Sequence, residues 1–457
     1  MLYKYLTNNG ELIGTLLQND KGLGEVYAAL MAAYSRSDKG ILQLIEQKKE
    51  EGNREVIKRI VDGYGHSSVR GLSHHSIFME DVTRLDAAEF FYNHPLQDGQ
   101  ERSTRYQSNF SCISLARYQH ILDNWIKAYK ELYLPTYEAL GKYFSVDINN
   151  SKEANSLKVR TLDCTRYLLP LGLKTSFAAI QSSREWSRYI AYLKAYKRTS
   201  NRGETLEKLL TDPDFSPEAR ICIRHTNNYK NDTYLETLLN DIYTSLITSR
   251  DSINSSISIK EIGVLDNLSR LINPIGTLTN FNNKEEVYGK VLSYINLYDH
   301  HNEASNELVV SKGMYTGYLD IGSLIDINRH RSIAKFIPLL HRGFNIFNEL
   351  NRSNSSLFSL CPYLDLVPDV KTRYEEVFDK QYSLIKEDTS EDTKLLLPNG
   401  HLTYYAFNIG LKELIYITKL RSGPEGHIAY RLWTKELAKD LLDIEINLDS
   451  KEDFLNR

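Results

Sequence analysis

The sequence predicts a mixed α/β protein in which one fold occurs twice along the chain. Long segments with helical spacing alternate with fewer, shorter strand candidates. One octapeptide, together with the helix that follows it, recurs 228 residues later. A chain of 457 residues that is 41% hydrophobic can bury more than one core, so we expect at least two domains.

Helices are predicted where apolar residues recur three and four positions apart. The clearest of these segments are 118–143, 183–196, 373–387 and 412–421. Short runs that suit an extended, half-buried segment predict strands at 75–82 and 402–407. Polar composition indicates connecting or surface material at the Ser-, Ile- and Asn-rich segment 248–262 and the Asn-rich segment 280–283.

The internal repeat can be read residue by residue. Residues 168–175 read LLPLGLKT, and residues 396–403 read LLPNGHLT at a constant offset of 228. Each is followed by a predicted helix that ends in a basic residue, Lys194 in one copy and Arg421 in the other. The Pro and Gly of the motif indicate a turn. We place the boundary between the copies near residue 235, which gives copies at 1–235 and 236–457.

Composition excludes several functional classes. A net charge of -3 and a pI near 6.5 argue against a general nucleic-acid binder, which needs concentrated Lys and Arg. No apolar run resembles a signal peptide or a membrane span. The cysteines form no CxxC pair, which favours a reduced, cytoplasmic protein without structural zinc. The adjacent His74 and His75 lack a spaced second ligand pair, so no metal site is predicted.

A short segment of the first copy concentrates chemically useful side chains. Residues 100–106 read Gln-Glu-Arg-Ser-Thr-Arg-Tyr, and residues 64–68 upstream read Tyr-Gly-His-Ser-Ser. An Arg-His-Arg triplet appears more than two hundred residues later, at 329–331. Together these motifs resemble the signature of flavin-dependent thymidylate synthases, in which Arg-His-Arg lies a few residues before Asn-Glu-x-Ser-x-Arg-Tyr.

The resemblance implies both a fold and a reaction. Each copy would be a small antiparallel sheet with long helices. The enzyme would be an FAD-dependent methyltransferase that converts dUMP to dTMP. Methylenetetrahydrofolate would supply the carbon, reduced FAD the hydride, and NADPH the reducing equivalents. Two chains would reproduce the four-copy assembly of the family, so the expected state is a homodimer of pseudo-dimers.

In the first copy, the positions of the arginine triplet are occupied by Asn93, His94 and Pro95, whereas the Glu-x-Ser-x-Arg-Tyr half is intact. By resemblance, the dUMP contacts from this copy are Glu101, Ser103, Arg105 and Arg166. Ser103 and Arg105 are the catalytic candidates. Since the sequence shows no His-based partner for Ser103, we interpret it as a positioning hydroxyl rather than a nucleophile.

The second copy shows the reverse pattern. Its Arg329-His330-Arg331 triplet is complete, but Lys394 stands in place of Arg166. Arg421 resembles the family's arginine that reaches a nucleotide held mainly by a neighbouring subunit. The resemblance assigns FAD contacts to Arg329, His330, Arg331, Arg184 and His66. The positions of the family's flavin-helix Asn and Arg are occupied by Ser182 and Arg184 in one copy and by Gly410 and Lys412 in the other.

Physical chemistry agrees with a composite site. A nucleotide monophosphate is a dianion, and Arg offers planar, bidentate donors that stay charged. Four arginines are available to clamp the phosphate and polarise the uracil carbonyl: Arg105, Arg166, Arg329 and Arg421. Two alternatives stay open at this point. One is flavin-dependent one-carbon transfer to C5 of another pyrimidine nucleotide, and the other is a non-catalytic nucleotide-binding or scaffold protein.

Overall fold

The structure is a computed structural model of the chain. Its longer described segments are 70–104, 110–195, 202–212, 222–227, 312–341, 346–351, 357–388, 390–424, 426–439 and 444–456. The shorter ones are 2–6, 12–16, 31–34, 37, 43–44, 241, 258–261 and 344. Every structural statement below refers to these residues.

In the first half of the chain, the strands are Leu2–Leu6 (β1), Leu12–Leu16 (β2), His74–Thr83 (β3), Gln97–Glu101 (β4) and Lys174–Ser182 (β5). The helices are Arg84–Asn93 (α1), Gln119–Tyr143 (α2), Ser151–Thr165 (α3), Ser183–Ala195 (α4) and Arg202–Thr211 (α5). A 3-10 turn at Arg166–Leu168 follows α3 directly.

In the second half, the strands are Ser258–Glu261 (β6), Lys312–Asp320 (β7), Ala334–Phe336 (β8) and Leu402–Gly410 (β9). The longer helices are Ile321–Asn328 (α6), Pro368–Ile385 (α8), Leu411–Arg421 (α10) and Ile428–Leu437 (α11). The short ones are Phe347–Leu350 (α7), Thr393–Leu396 (α9) and Lys451–Leu455 (α12).

The predicted helices are confirmed as α2, α4, α8 and α10, and the predicted strands as β3 and β9. The interpretation of 248–262 as connecting material was wrong at its end, because β6 occupies Ser258–Glu261. Ile257 and Ile259 alternate with serines there, which is the strand period, but the polar composition hid it. Segment 280–283 and the predicted copy boundary near residue 235 lie outside the described residues.

The chain divides into two compact units. The first comprises 1–80, 96–101 and 177–233, and the second comprises 81–95, 102–176 and 234–457. In the first unit, β1 and β2 form an antiparallel hairpin with Leu2 opposite Leu16. The second unit takes long segments from both copies, so the core of this unit is built from both.

Each copy contributes one antiparallel sheet with the same strand order. The order is β3-β5-β4 in the first copy and β7-β9-β8 in the second, where β6 adds a strand beside β7. Asp98 lies opposite Ile180 in one sheet, and Ala334 lies opposite Asn408 in the other. Ile180 and Asn408 are separated by the repeat offset of 228 residues. The predicted class, two copies that each combine a small antiparallel sheet with helices, is therefore confirmed.

The two copies of the repeat motif meet at a backbone crossing in the second unit. Pro170 and Pro398 lie opposite each other in an isolated antiparallel bridge. Four backbone N–H···O bonds flank the bridge, in pairs related by exchange of the copies. The donor and acceptor residues are Leu171 to Leu397 (2.8 Å) and Asn399 to Leu169 (2.9 Å), then Gly172 to Leu395 (2.7 Å) and Gly400 to Tyr167 (2.9 Å). This pattern is that of a local two-fold axis.

Helices α1 and α6 begin in the same way. The Thr83 hydroxyl accepts the N–H of Asp86 in a capping box at α1, and the Asp320 carboxylate accepts the N–H of Ser323 at α6. The first N–H groups of both helices donate to the repeat motif of their own copy. These bonds are Arg84 to Leu173, Leu85 to Leu171, Ile321 to His401 and Gly322 to Asn399. The crossing therefore fixes the start of both helices.

The core of the second unit joins long helices of the two copies. Trp125 on α2 is fully buried, donates its indole N–H to the Leu396 carbonyl at 3.0 Å, and packs edge-on against Phe378 of α8. The Thr136 and Tyr374 hydroxyls, also on α2 and α8, share a hydrogen bond of 2.9 Å. Burial of such aromatic side chains stabilises the packing of the two copies within this unit.

Candidate functional site

Asp326 lies at the centre of a cluster of cationic side chains in the second unit. Its Oδ2 accepts a hydrogen bond from Nη2 of Arg166 at 3.1 Å, and its Oδ1 lies 3.7 Å from Nη2 of Arg329. Its backbone carbonyl accepts from Nη2 of Arg421 at 3.4 Å. Arg166 belongs to the first copy, whereas Arg329 and Arg421 belong to the second. We call these four residues the Asp326 cluster.

Local structure explains why these side chains meet. Asp326 and Arg329 are three residues apart at the end of α6, a spacing that places both on one side of the helix. Arg166 begins the 3-10 turn that leads to the Pro170–Pro398 crossing. Arg421 is the last residue of α10, where a cation complements the helix dipole.

His330 orients Arg421. The Nε–H of Arg421 donates to Nε2 of His330 at 2.9 Å, and the guanidinium also lies over the Tyr430 ring at 5.6 Å. Burial, followed by the charges of Arg421 and Lys335, lowers the pKa of His330 to about 3. The imidazole is therefore neutral near pH 7, with Nε2 as an acceptor, and its remaining proton belongs to Nδ1.

Arg166 stays charged although it is buried. Burial lowers the pKa of this guanidinium, but the carboxylates of Asp326, Asp163 and Asp320 outweigh burial and raise the pKa overall. Burial raises the pKa of Asp320 to about 6, against the opposing effect of its hydrogen bonds with Ser323 and the charge of Arg166. The first copy thus supplies a fixed positive charge to the cluster.

Arg329 and Arg331 face solvent. The Arg329 side chain is 40% exposed, although one edge of its guanidinium lies near Asp326. Arg331 is exposed, whereas His330 between them is buried. A soluble anion can therefore reach two guanidinium groups on either side of a neutral imidazole.

The residues predicted from the first copy are distributed over both units. Glu101 ends β4 opposite Phe177 in the first unit and is half-buried. Ser103, also half-buried, follows in the second unit, one residue after the Arg102 N–H donates to the Ser176 carbonyl. Arg105 and His66 lie outside the described residues.

Arg184, the predicted flavin contact on α4, belongs to the first unit. Its Nε donates to the buried Glu185 carboxylate at 3.3 Å, which also accepts from Arg188 at 2.8 Å. In the same unit, His75 shares hydrogen bonds with the Ser73 and Ser183 hydroxyls, at 3.2 and 2.9 Å.

Sequence reasoning missed Asp326 and Lys335. Lys335 donates from Nζ to the carbonyls of Asn328 and His330. The hydrogen bonds at the starts of α1 and α6 align Asp326 with Glu89, so both copies carry an acid there, but the sequence alone did not show this alignment. No signal marked Lys335 either, since the first copy has Gly99 at that position.

The structure also aligns the two triplets. Because Asp98 and Ala334 occupy equivalent positions in the two sheets, Asn93-His94-Pro95 corresponds to Arg329-His330-Arg331. Both histidines are buried, at 5% and 8% exposure. The substitution of both arginines in the first copy is thus a difference at matched positions.

Within the described segments, no group of three His, Cys, Asp or Glu side chains is placed to hold a metal ion. No helix in this part of the chain is both long and apolar enough to cross a membrane. The four cysteines carry free thiols.

Comparison with known proteins relates the amino-terminal copy to the thymidylate synthase complementing proteins. Residues 15–201 match the family model described as "Thymidylate synthase complementing protein". The matched residues all lie in the amino-terminal copy, which is therefore similar to this family, as its motifs predicted.

Two curated relatives match along both copies. A UPF0159 protein of Chlamydia pneumoniae is 23% identical over 495 aligned positions, which cover 92% of this chain and 88% of the relative. A UPF0159 protein of Chlamydia muridarum is 22% identical, with the same coverage. Among solved structures, thymidylate synthase X (ThyX) of Helicobacter pylori, crystallised with FAD and dUMP, aligns at 16% identity and a TM-score of 0.25. This alignment covers 44% of this chain and 95% of that one.

Proposed function

We propose that this chain is a flavin-dependent thymidylate synthase that methylates dUMP reductively at the Asp326 cluster. One observation carries the proposal: Arg166 of the first copy and Arg329 and Arg421 of the second meet around Asp326, the first two at its carboxylate and Arg421 at its backbone carbonyl. The family match of the first copy supports the reaction class.

The guanidinium groups suit a pyrimidine nucleotide. Arg329 is exposed enough to bind the phosphate dianion bidentately, whereas the buried Arg166 supplies a fixed charge beneath it. Arg421, aimed by neutral His330, would stabilise negative charge as it develops on the uracil carbonyl. Ser103, together with Glu101 and Arg105 of the same segment, would position the nucleotide.

The donor set of the Arg329-His330-Arg331 turn also fits FAD. Two exposed guanidinium groups can balance a pyrophosphate, and a neutral imidazole can lie beside an uncharged ring without repulsion. By resemblance, Arg184 and His66 are further candidates for FAD contacts. Reduced FAD supplies the hydride when bound, while methylenetetrahydrofolate and NADPH would be co-substrates.

A non-catalytic nucleotide-binding role is the second candidate. It is favoured by the departures at the flavin-helix positions, where Ser182 and Gly410 replace the family's Asn. It is also favoured by the ion pair that Arg166 already forms with Asp326 inside the protein. In this case the cluster would bind the nucleotide without chemistry.

Tritium release from C5-labelled dUMP tests the proposal, with FAD, NADPH and methylenetetrahydrofolate present. We expect release from dUMP, and an oxidised-flavin absorbance band in the purified protein. Release only from labelled UMP or dCMP would favour the alternative of C5 transfer to another pyrimidine nucleotide. A colourless protein that cannot be reconstituted with FAD but still binds dUMP would establish the non-catalytic role.

A matched pair of variants connects the reaction to the cluster. Arg421→Met should abolish tritium release, because Met cannot donate to a developing oxyanion. Arg117→Met should leave release unchanged, because the Arg117 side chain is 77% exposed and its contacts, with Asp388 and the Tyr118 ring, do not involve the Asp326 cluster. Sedimentation of the same preparations would test the proposed homodimer of pseudo-dimers.

A further inference from the structure

Lys335 holds the turn that carries the arginine triplet. It lies on β8, and its Nζ reaches back to the carbonyl of Asn328, the last residue of α6, and to that of His330 at 2.9 Å. The two acceptors lie on either side of Arg329. One ammonium group therefore fixes the backbone from which both exposed guanidinium groups extend.

The first copy provides an internal comparison. Ala334 is equivalent to Asp98, so the position equivalent to Lys335 is Gly99, which has no side chain. That copy also lacks both arginines, with Asn93 and Pro95 in their places. The lysine thus occurs only in the copy that keeps the arginines.

We propose that Lys335 is a positioning residue of the anion site, which holds Arg329 and Arg331 towards the bound nucleotide through the carbonyls of Asn328 and His330. The inference deepens the proposed function and rests on it. Lys335 itself does not need to touch the ligand.

The surroundings of Lys335 make this role sensitive to pH. Burial, followed by the charge of Arg331, lowers the pKa of Lys335 to about 7. His330 on the same turn is neutral, since its pKa is lowered by burial and by Arg421. From α1, the Tyr92 hydroxyl donates to the Lys335 carbonyl, and from β9 the uncharged Phe407 lies opposite.

The direction of the pH effect follows from these charges. Below pH 7 the ammonium makes charge-assisted hydrogen bonds to both carbonyls and adds a positive charge to the anion site. Above pH 7 the neutral amine makes weaker bonds to the same carbonyls and loses that charge. A bound dianion raises the pKa of Lys335, so by linkage nucleotide affinity must fall as pH rises through this range.

Calorimetric titration of the full-length protein with dUMP from pH 6.5 to 8.5 tests the proposal, because dUMP is largely a dianion there. We expect the affinity of the wild type to fall about tenfold across this range. Lys335→Met should bind about tenfold more weakly at pH 6.5 and show no such fall. Lys335→Arg, which cannot deprotonate, should bind with little dependence on pH.

The control is Lys127→Met, because the Lys127 side chain is 70% exposed and lies on α2. It should retain the affinity and pH profile of the wild type. A pH-dependent fall that persists unchanged in Lys335→Arg overturns the proposal, even if Lys335→Met fails to fold. Absence of dUMP binding by the wild type would instead refute the proposed function.

Discussion

Pro170 and Pro398, equivalent residues of the two copies, lie opposite each other on the local two-fold axis of the second unit. Proline cannot donate a backbone hydrogen bond, and this bridge does not require one, because the neighbouring residues make the four flanking bonds. The crossing therefore tolerates proline in both copies. It also sets the position of Arg166, which lies four residues before Pro170. The start of α6 is fixed by its hydrogen bonds to Asn399 and His401, next to Pro398.

The first prediction concerns the glycines beside this crossing. A Cβ on Gly172 would lie 2.9 Å from the Leu395 carbonyl oxygen, and one on Gly400 would lie 2.8 Å from that of Ser359. Since both obstacles are backbone atoms, we expect Gly172→Ala and Gly400→Ala each to lower the free energy of unfolding by about 1–3 kcal/mol in urea titrations. Gly423→Ala is the control, because its nearest obstacle is 4.0 Å away. Equal midpoints for all three variants would contradict the close approach.

The second prediction concerns the internal counter-ion. The Asp326 carboxylate forms ion pairs with Arg166 and Arg329, so a phosphate must compete with it for both guanidinium groups. Asp326→Asn keeps the size of the side chain and removes the charge. We expect dUMP to bind about three- to tenfold tighter in calorimetric titrations.

The control for this change is Asp365→Asn, whose carboxylate is 62% exposed and pairs with Lys371 at the surface. It should leave the dissociation constant unchanged. Weaker binding by Asp326→Asn would show that the carboxylate contacts the ligand rather than competing with it.

The third prediction concerns acid stability. Burial first, then Arg421 and Lys335, lowers the pKa of His330 to about 3, whereas an unfolded histidine titrates near 6.5. Between these values the unfolded chain binds a proton that the folded protein does not, so acidification favours unfolding. From pH 7 to 4, the wild type should lose about 3 kcal/mol more of its unfolding free energy than His330→Gln does. Denaturation curves at several pH values would measure this, and parallel losses would rule it out.

Much of the fold could be predicted from the sequence, because periodicity and repetition are local signals. Apolar spacing predicted helices α2 and α8, and the repeated Leu-Pro-x-Gly motif indicated that the fold occurs twice. Strand β6 was missed, since its alternation is short and its polar positions are serines.

The candidate site was harder to predict, because Arg166 and Arg421 reach Asp326 from residues distant in sequence. The resemblance named Arg166, Arg329 and Arg421, but nothing in the sequence indicated that a carboxylate would link two of them. Lys335 contacts backbone carbonyls, which every residue type has, so no sequence motif marks its partners.

Because both copies lie on one chain, equivalent positions can differ between them, as Arg166 and Lys394 do. In a symmetric homodimer one gene specifies both partners, so any substitution appears twice and must be acceptable in both settings. Here each half is encoded separately. The second copy could therefore replace the arginine by Lys394 while the first copy kept Arg166. Selection could act on one site without changing the equivalent positions of the other copy.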